Sequence, residues 1–210
     1  MKIVVFGATG GTGSKVVERA LADGHEVVAA ARRPDAVTTK HDKLRVAKTD
    51  VLDAEAVEGA LEGADAIIST IGPADEKNPG TLISRGVANI TAGAKKKGVR
   101  RFVFESGLMV GDGRGLSLLG RMLVSIFRST RKALCEDKRV AEATIRASDL
   151  DWVIVRPPTL KHDPPKGGYK FGVDARIDVT KSMSHADAAE FLIRAATNAD
   201  LVRTIQDVGY

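Results

Sequence analysis

K-I-V-V-F-G-A-T-G-G-T-G, residues 2–13, is the stretch that decides the fold. Lys2–Phe6 is a short apolar run rich in β-branched residues and predicts a buried strand. A glycine-rich turn follows. Ser14–Ala22 then places Val16, Val17, Ala20 and Leu21 at helical spacing, and Gly24 closes that helix. In such a strand–turn–helix, Gly7, Gly10 and Gly13 supply a tight turn, a close backbone approach and close helix–strand packing. The N-terminus of the helix is aimed at whatever enters the turn, and free N–H groups there suit a phosphate. An ordinary strand–helix turn would need no such pattern. The reading is therefore a dinucleotide site, with Gly7, Thr9, Gly10, Gly11, Thr12 and Gly13 around the pyrophosphate.

The second strand, Glu26–Ala31, ends in Ala30-Ala31-Arg32-Arg33. An NAD site usually carries a carboxylate here for the ribose 2′-hydroxyl. A guanidinium instead pairs with a 2′-phosphate, so the expected cofactor is NADP(H), with Arg32 the main contact and Arg33 beside it. The competing reading is two solvated surface arginines. Leu44–Ala47 is a third strand, followed by Asp50-Val51 where the adenine is capped. After the fourth strand, Ala66–Ser69, come Ser69, Thr70, Ile71 and Gly72, at the carboxyl edge where ligands lie in open α/β sheets. Gly72-Pro73 would also serve as plain turn chemistry.

The alternation continues outward. Ala54–Leu61 is a short helix, and Pro79 opens a long one that ends in Lys95, Lys96, Lys97 and Gly98. Arg101–Phe104 is the fifth strand, and a helix over Lys132–Ala147 leads to the sixth, Trp152–Val155. Strands without period-two alternation are covered on both faces, and strand–helix–strand repetition means parallel pairing. The fold class is thus α/β, an open doubly wound sheet in one domain over 1–210. Residues 107–135 and 159–183 form substrate-side insertions. Lys161–Gly172, rich in Pro, Gly and Lys, reads as a loop or small lobe. Ser184 caps a last helix to Thr197, with Asp187 three residues on, and Thr204–Val208 adds a final strand.

Composition narrows the function. The chain has 210 residues, 43% hydrophobic and 28% charged, which excludes a disordered tail protein. No apolar stretch reaches the length of a membrane span, and the opening apolar run is too short for a signal peptide. A net charge of +5 suits an anionic small ligand. Six Phe, two Tyr and one Trp are too few for a base-stacking surface, so no nucleic acid partner is expected. A single cysteine, Cys135, fits a reducing cytoplasm and reads as a packing residue. The four histidines have no zinc spacing, so no metal is expected. Between Leu116 and Arg128, Leu119, Met122, Leu123, Ile126 and Phe127 form an apolar stripe. A core-packing helix is the preferred reading; a lid, a dimer face or a membrane-surface contact are the alternatives.

G-A-T-G-G-T-G at 7–13, D-V-L-D at 50–53, F-V-F-E-S at 102–106, D-W-V-I-V-R-P-P at 151–158 and S-H-A-D-A-A at 184–189 together resemble an atypical short-chain dehydrogenase/reductase. The closest likeness is to the small NAD(P)H-binding proteins grouped with flavin reductase/biliverdin-IXβ reductase and to NmrA-like proteins, over almost the whole chain. The resemblance implies a Rossmann core of strand order 3-2-1-4-5-6, NADPH binding, and hydride transfer to flavins or tetrapyrroles in the reductase branch. It also matches Ser106 to the serine that branch carries after the fifth strand, and counts Pro157 among the cofactor contacts. The Tyr-x-x-x-Lys pair of most short-chain dehydrogenases is missing, since Leu134 stands four residues before Lys138. Thr159 replaces the histidine that usually follows Pro-Pro in the reductases.

Ser106 is the candidate to orient substrate or carboxamide, against a strand-end cap. Glu105 is either a buried proton donor or a structural partner of Arg100, Arg101 or Lys138. His162 and Tyr169 fall in the covering loop, as surface or packing groups. The expected activity is NADPH-dependent reduction of a flavin, quinone or similar flat conjugated carbonyl by a cytoplasmic monomer or homodimer. The alternative is a non-catalytic NADP(H) sensor of the NmrA-like kind. An epimerase or dehydratase ranks below both, for want of the tyrosine base.

Overall fold

The computed structural model describes residues 1–210. Six parallel strands run β1 (Lys2–Phe6), β2 (Glu26–Ala31), β3 (Leu44–Lys48), β4 (Ala66–Ser69), β5 (Arg101–Glu105) and β6 (Asp151–Arg156). Three short strands follow, β7 (Leu160–Lys161), β8 (Lys170–Gly172) and β9 (Met183–Ser184), and then β10 (Thr204–Gly209). The main sheet has the order β3-β2-β1-β4-β5-β6-β10-β8, so the anticipated 3-2-1-4-5-6 core is present. The last strand, β10, joins β6 in parallel.

The helices are α1 (Gly11–Ala22), α2 (Ala54–Ala60), α3 (Leu82–Lys97), α4 (Leu118–Thr130), α5 (Lys132–Arg146) and α6 (His185–Thr197). They cover both faces. On one side α1 and α6 pack Val16, Val17, Phe191 and Leu192 onto Ile3, Val5, Ile68 and Val103. On the other, α2, α3 and α5 pack Val57, Ile83, Val87, Ile90 and Ile145 onto Val4, Phe6, Ile67, Phe102 and Phe104. Both faces of β1, β2, β4, β5 and β6 are therefore dry, the physical reason those strand sequences are nearly all apolar, while the edge strand β3 stays partly exposed.

Four expectations need correction. First, α1 starts at Gly11, not Ser14, which brings Gly11, Thr12 and Gly13 into its first turn. Second, α3 starts at Leu82, not Pro79. Its N-terminal amides, which lack partners within the helix, are capped from afar by the buried Asp137 of α5, whose carboxylate accepts from Ile83 N at 2.8 Å and Ser84 N at 3.0 Å. Third, the segment 161–172 is not all loop: β8 adds antiparallel to β10, and β7 pairs with β9. Asp187 explains the docking, since it accepts from Lys166 N at 2.9 Å, Gly167 N at 3.0 Å and the Tyr210 hydroxyl at 2.5 Å. Fourth, α4 is not a core helix. Only Gly120 and Val124 of it are buried, while Leu118 is 84% and Leu119 56% exposed.

Candidate functional site

The carboxyl ends of β1, β2 and β4 frame a cleft of about 160 Å³. Of the predicted residues, Gly7, Thr9, Gly10, Arg32, Val51, Thr70, Ile71 and Gly72 line it together. The turn requires its glycines. Gly7 has a φ of 82°, in the left-handed region. A Cβ on Gly13 would lie 2.0 Å from the Gly7 carbonyl oxygen, so the helix can sit this close to the turn only without a side chain. No side chain caps α1 at Gly10, and no acidic residue stands in its first turn. The positive end of that helix thus faces the cleft unneutralised, the setting a phosphate uses.

Arg33 lies just outside the cleft. With Arg32, Pro34, Asp35, Ala36 and Lys48 it borders a second open depression of about 620 Å³. Lys48 was missed at the sequence level because the third strand was ended at Ala47. The parallel register pairs Ala31 with Lys48, so the cation following β2 and the cation ending β3 become neighbours. None of the protein's ion pairs uses Arg32, Arg33 or Lys48. Thr49 and Leu82 also line the cleft without having been anticipated.

The other predicted residues have more local roles. Asp50 is exposed, and its carboxylate accepts from Leu52 N at 2.9 Å. Ser69 is fully buried at the end of β4, and its hydroxyl has no partner. Gly11 and Thr12 sit in the first turn of α1 with Gly13, but Thr12 turns inward, away from the cleft. Its hydroxyl lies 2.9 Å from Glu105 Oε1 and 2.9 Å from His185 Nδ1.

Ser106 and Glu105 are adjacent, and the alternation of the strand sends them to opposite faces. Ser106 is 3% exposed. Its hydroxyl donates to Glu142 Oε1 at 2.6 Å, so its one proton is already committed. Glu142 also receives Arg156 Nε at 3.0 Å and Arg156 Nη2 at 2.5 Å. Lys138 Nζ donates to the Ser106 carbonyl at 2.6 Å. Glu105 makes no ion pair within contact distance: Arg100 binds Asp151, and Arg101 binds the carbonyls of Ala196 and Asn198. Burial pushes the Glu105 carboxyl up, against the opposing pull of Lys138 and the Thr12 bond. Burial likewise pushes Lys138 down.

A separate cavity of about 340 Å³ opens at the end of β6. Pro157, Pro158 and Thr159 form one wall. Leu108 and Met109, with Leu123, Val124, Ile126 and Phe127 of α4, form the other. Pro157 thus belongs to this apolar cavity and not to the glycine-turn cleft. No charged side chain lines it. His162 and Tyr169 stay outside it: His162 packs at a tilt of 48° against His185 with centroids 4.6 Å apart, and Tyr169 packs edge-on against Phe191.

The family model described as NAD(P)H-binding matches residues 7–199. The chain belongs to the NAD(P)H-binding family. The matched span contains every residue lining the cleft and both helical layers that flank the sheet. Among relatives, an uncharacterized chloroplastic protein of Arabidopsis thaliana is 32% identical over 176 residues, 79% of this chain. The chain spans only 61% of that relative's length. The anaerobilin reductase ChuY of Escherichia coli O157:H7 superposes with a TM-score of 0.80 at 25% identity, covering 100% of this chain and 97% of that one. A short-chain dehydrogenase/reductase of Veillonella parvula, solved in complex with NADP, gives 0.80 at 20% identity over 100% and 94% of the two chains. At that identity it speaks for the fold alone. No helix is long and apolar enough to cross a membrane.

Proposed function

We propose that this family member is an NADPH-dependent reductase, in a reducing compartment such as the cytoplasm, of a flavin, a quinone or a similar flat conjugated carbonyl. The observation that carries the reading is the pairing of two cavities along one sheet edge. One is a glycine-turn cleft beside three uncommitted cations, Arg32, Arg33 and Lys48; the other is an uncharged, apolar cavity at the end of β6. A 2′-phosphate needs the cations, and a flat conjugated ring needs the apolar walls. When bound, the nicotinamide supplies the hydride. The chain has then only to hold two flat groups face to face and keep water away. Ser106 contributes by orientation through Glu142, and a proton can come from solvent when a flavin or quinone is the acceptor. A tetrapyrrole is disfavoured: its carboxylates would find no cation among the cavity-lining residues.

The test is NADPH consumption with FMN and with a soluble quinone. Turnover above the protein-free rate, with NADPH preferred to NADH, supports the proposal. Binding of NADPH without turnover of either acceptor overturns the reductase reading. One observation would then favour a non-catalytic NADP(H) sensor: the Ser106 hydroxyl, expected near the nicotinamide, has its proton engaged by Glu142. That second reading requires a partner whose affinity differs between NADP⁺ and NADPH.

A further inference from the structure

Glu105, Thr12 and His185 form a hydrogen-bonded chain whose proton count is constrained. Thr12 Oγ1 is 2.9 Å from Glu105 Oε1 and 2.9 Å from His185 Nδ1. A hydroxyl has one proton to give. With Glu105 ionised and Thr12 donating to it, His185 must donate from Nδ1, which leaves a bare lone pair on Nε2. With Glu105 protonated, it donates to Thr12, Thr12 donates to Nδ1, and Nε2 carries the proton. The imidazolium with ionised Glu105 also satisfies both bonds and also carries Nε2–H. An Nε2–H imidazole beside an ionised Glu105 does not, because two acceptors would compete for one hydroxyl proton. From ionised Glu105 with a bare Nε2, every fully bonded arrangement that presents Nε2–H is therefore reached by adding one proton.

Nε2 is the ring atom at the glycine turn. It lies 2.6 Å from where a Cβ on Gly11 would stand, so Gly11 is the residue that admits the imidazole to the first turn of α1. A diphosphate oxygen only accepts hydrogen bonds. It selects Nε2–H over the lone pair. We propose that Glu105–Thr12–His185 is a proton-uptake device coupled to the dinucleotide, which takes up a proton when the diphosphate settles at the start of α1. The proposal rests on the reading of the glycine turn as the diphosphate site.

The surrounding charges fit. His162, from the segment after β7, packs at a tilt against His185; burial and that neighbour hold His185 below its ordinary value, which favours the neutral ring in the free protein. Lys138 of α5 is the cation acting on Glu105, and burial raises Glu105 despite it. The extra proton is shared within a coupled group, and the uptake is a property of the three residues together.

Calorimetry of NADP⁺ binding, in two buffers of different ionisation enthalpy, measures the proton count. For the wild type we expect net uptake, and affinity falling as pH rises by up to about tenfold per unit. Glu105→Gln removes the titrating carboxyl: its amide either donates to Thr12, which puts the ring proton on Nε2, or turns its carbonyl to accept from Thr12, which leaves Nε2 bare, and the two arrangements hold the same number of protons. That variant should bind with less uptake than the wild type and with a flatter pH dependence. Because both proteins meet the same ligand, titration of the 2′-phosphate cancels in the difference. Equal proton counts in the two proteins overturn the proposal while leaving the cleft assignment standing. Absence of NADP⁺ binding at every pH overturns the cleft assignment and the proposal with it. Ring-nitrogen NMR of wild-type histidine gives an independent reading, free of any folding defect in the variant. His185 should pass to a state protonated at Nε2 on adding NADP⁺, and an unchanged spectrum in the bound protein overturns the proposal.

Discussion

At the scale of single residues, cofactor preference should reside in Arg32. It lines both the glycine-turn cleft and the depression beside it, and has no carboxylate partner. Arg32→Glu replaces a charge-assisted bond by a like-charge clash. NADPH affinity should fall by about 1.5–3 kcal/mol, roughly ten- to a hundredfold in Kd, with NADH little changed. Fluorescence titration of both nucleotides checks this; equal loss for both would move the selectivity elsewhere. Glu142 should matter for stability first. It sits 4% exposed between Arg156 and Ser106, and Glu142→Ala strands a buried guanidinium. A loss of about 3–5 kcal/mol in denaturant unfolding is expected. These residues differ in how far the sequence exposed them. The glycines and Arg32 act through backbone shape and position along the chain, which spacing encodes. Ser106 and Glu105 could be placed at the end of a strand, but their partners Glu142 and Thr12 lie 36 and 93 positions away. Such pairings exist only once the sheet is assembled.

At the scale of elements, legibility follows hydrophobic contrast. The strands β1, β2, β4, β5 and β6 and the helices α1, α3, α5 and α6 bury continuous apolar faces, so their pattern announced them, whereas β3 is an edge strand with no fully buried residue. The strands β7, β8 and β9 have only two or three residues each, and their burial is borrowed from α6 and β10, so composition read most of them as loop. The start of α3 was misplaced for a related reason: its cap, Asp137, comes from a helix more than fifty residues later. Asp137→Ala should therefore unwind the first turn of α3 and cost about 1–2 kcal/mol, with hydrogen exchange faster at Ile83 and Ser84 and unchanged in α6. The element α4 has amphipathic periodicity but turns much of its apolar face to solvent and to the cavity beside Pro157. Leu123→Ser and Ile126→Ser together should raise KM for a quinone at least about fivefold, since apolar burial contributes about 0.8 kcal/mol per methylene. NADPH affinity should stay within error, because neither residue lines the glycine-turn cleft. A parallel loss of NADPH affinity would show that the helix supports the fold and does not serve the acceptor.

For the whole molecule, the far half of the sheet carries a charge that the hydrophobic cores cannot welcome. Asp207 lies on β10, 9% exposed, opposite Arg156 of β6 in the parallel register. Burial raises its carboxyl from 3.8 to about 6; Arg156 works against this, while Asp174, Asp112 and Glu142 reinforce it. The sign follows from proton binding. Between about pH 4 and 6 the folded chain holds this proton more tightly than the unfolded chain, so stability falls as pH rises through that window. Above it the full penalty for the buried charge is present, at most about 3 kcal/mol for a shift of this size. Asp187 pulls the other way: burial opposes its charge, but bonds from Tyr210, Lys166, Ser184 and Gly167 outweigh that and hold it low. A bare pH profile would mix the two. Asp207→Asn separates them, since the amide has nearly the same shape and no proton to lose. The difference in Tm between variant and wild type should be near zero at pH 4, open as pH rises through 6, and plateau at several degrees in favour of Asn above pH 7. A gap that is constant with pH would mean that Asp207 is ionised throughout, its charge carried by Arg156.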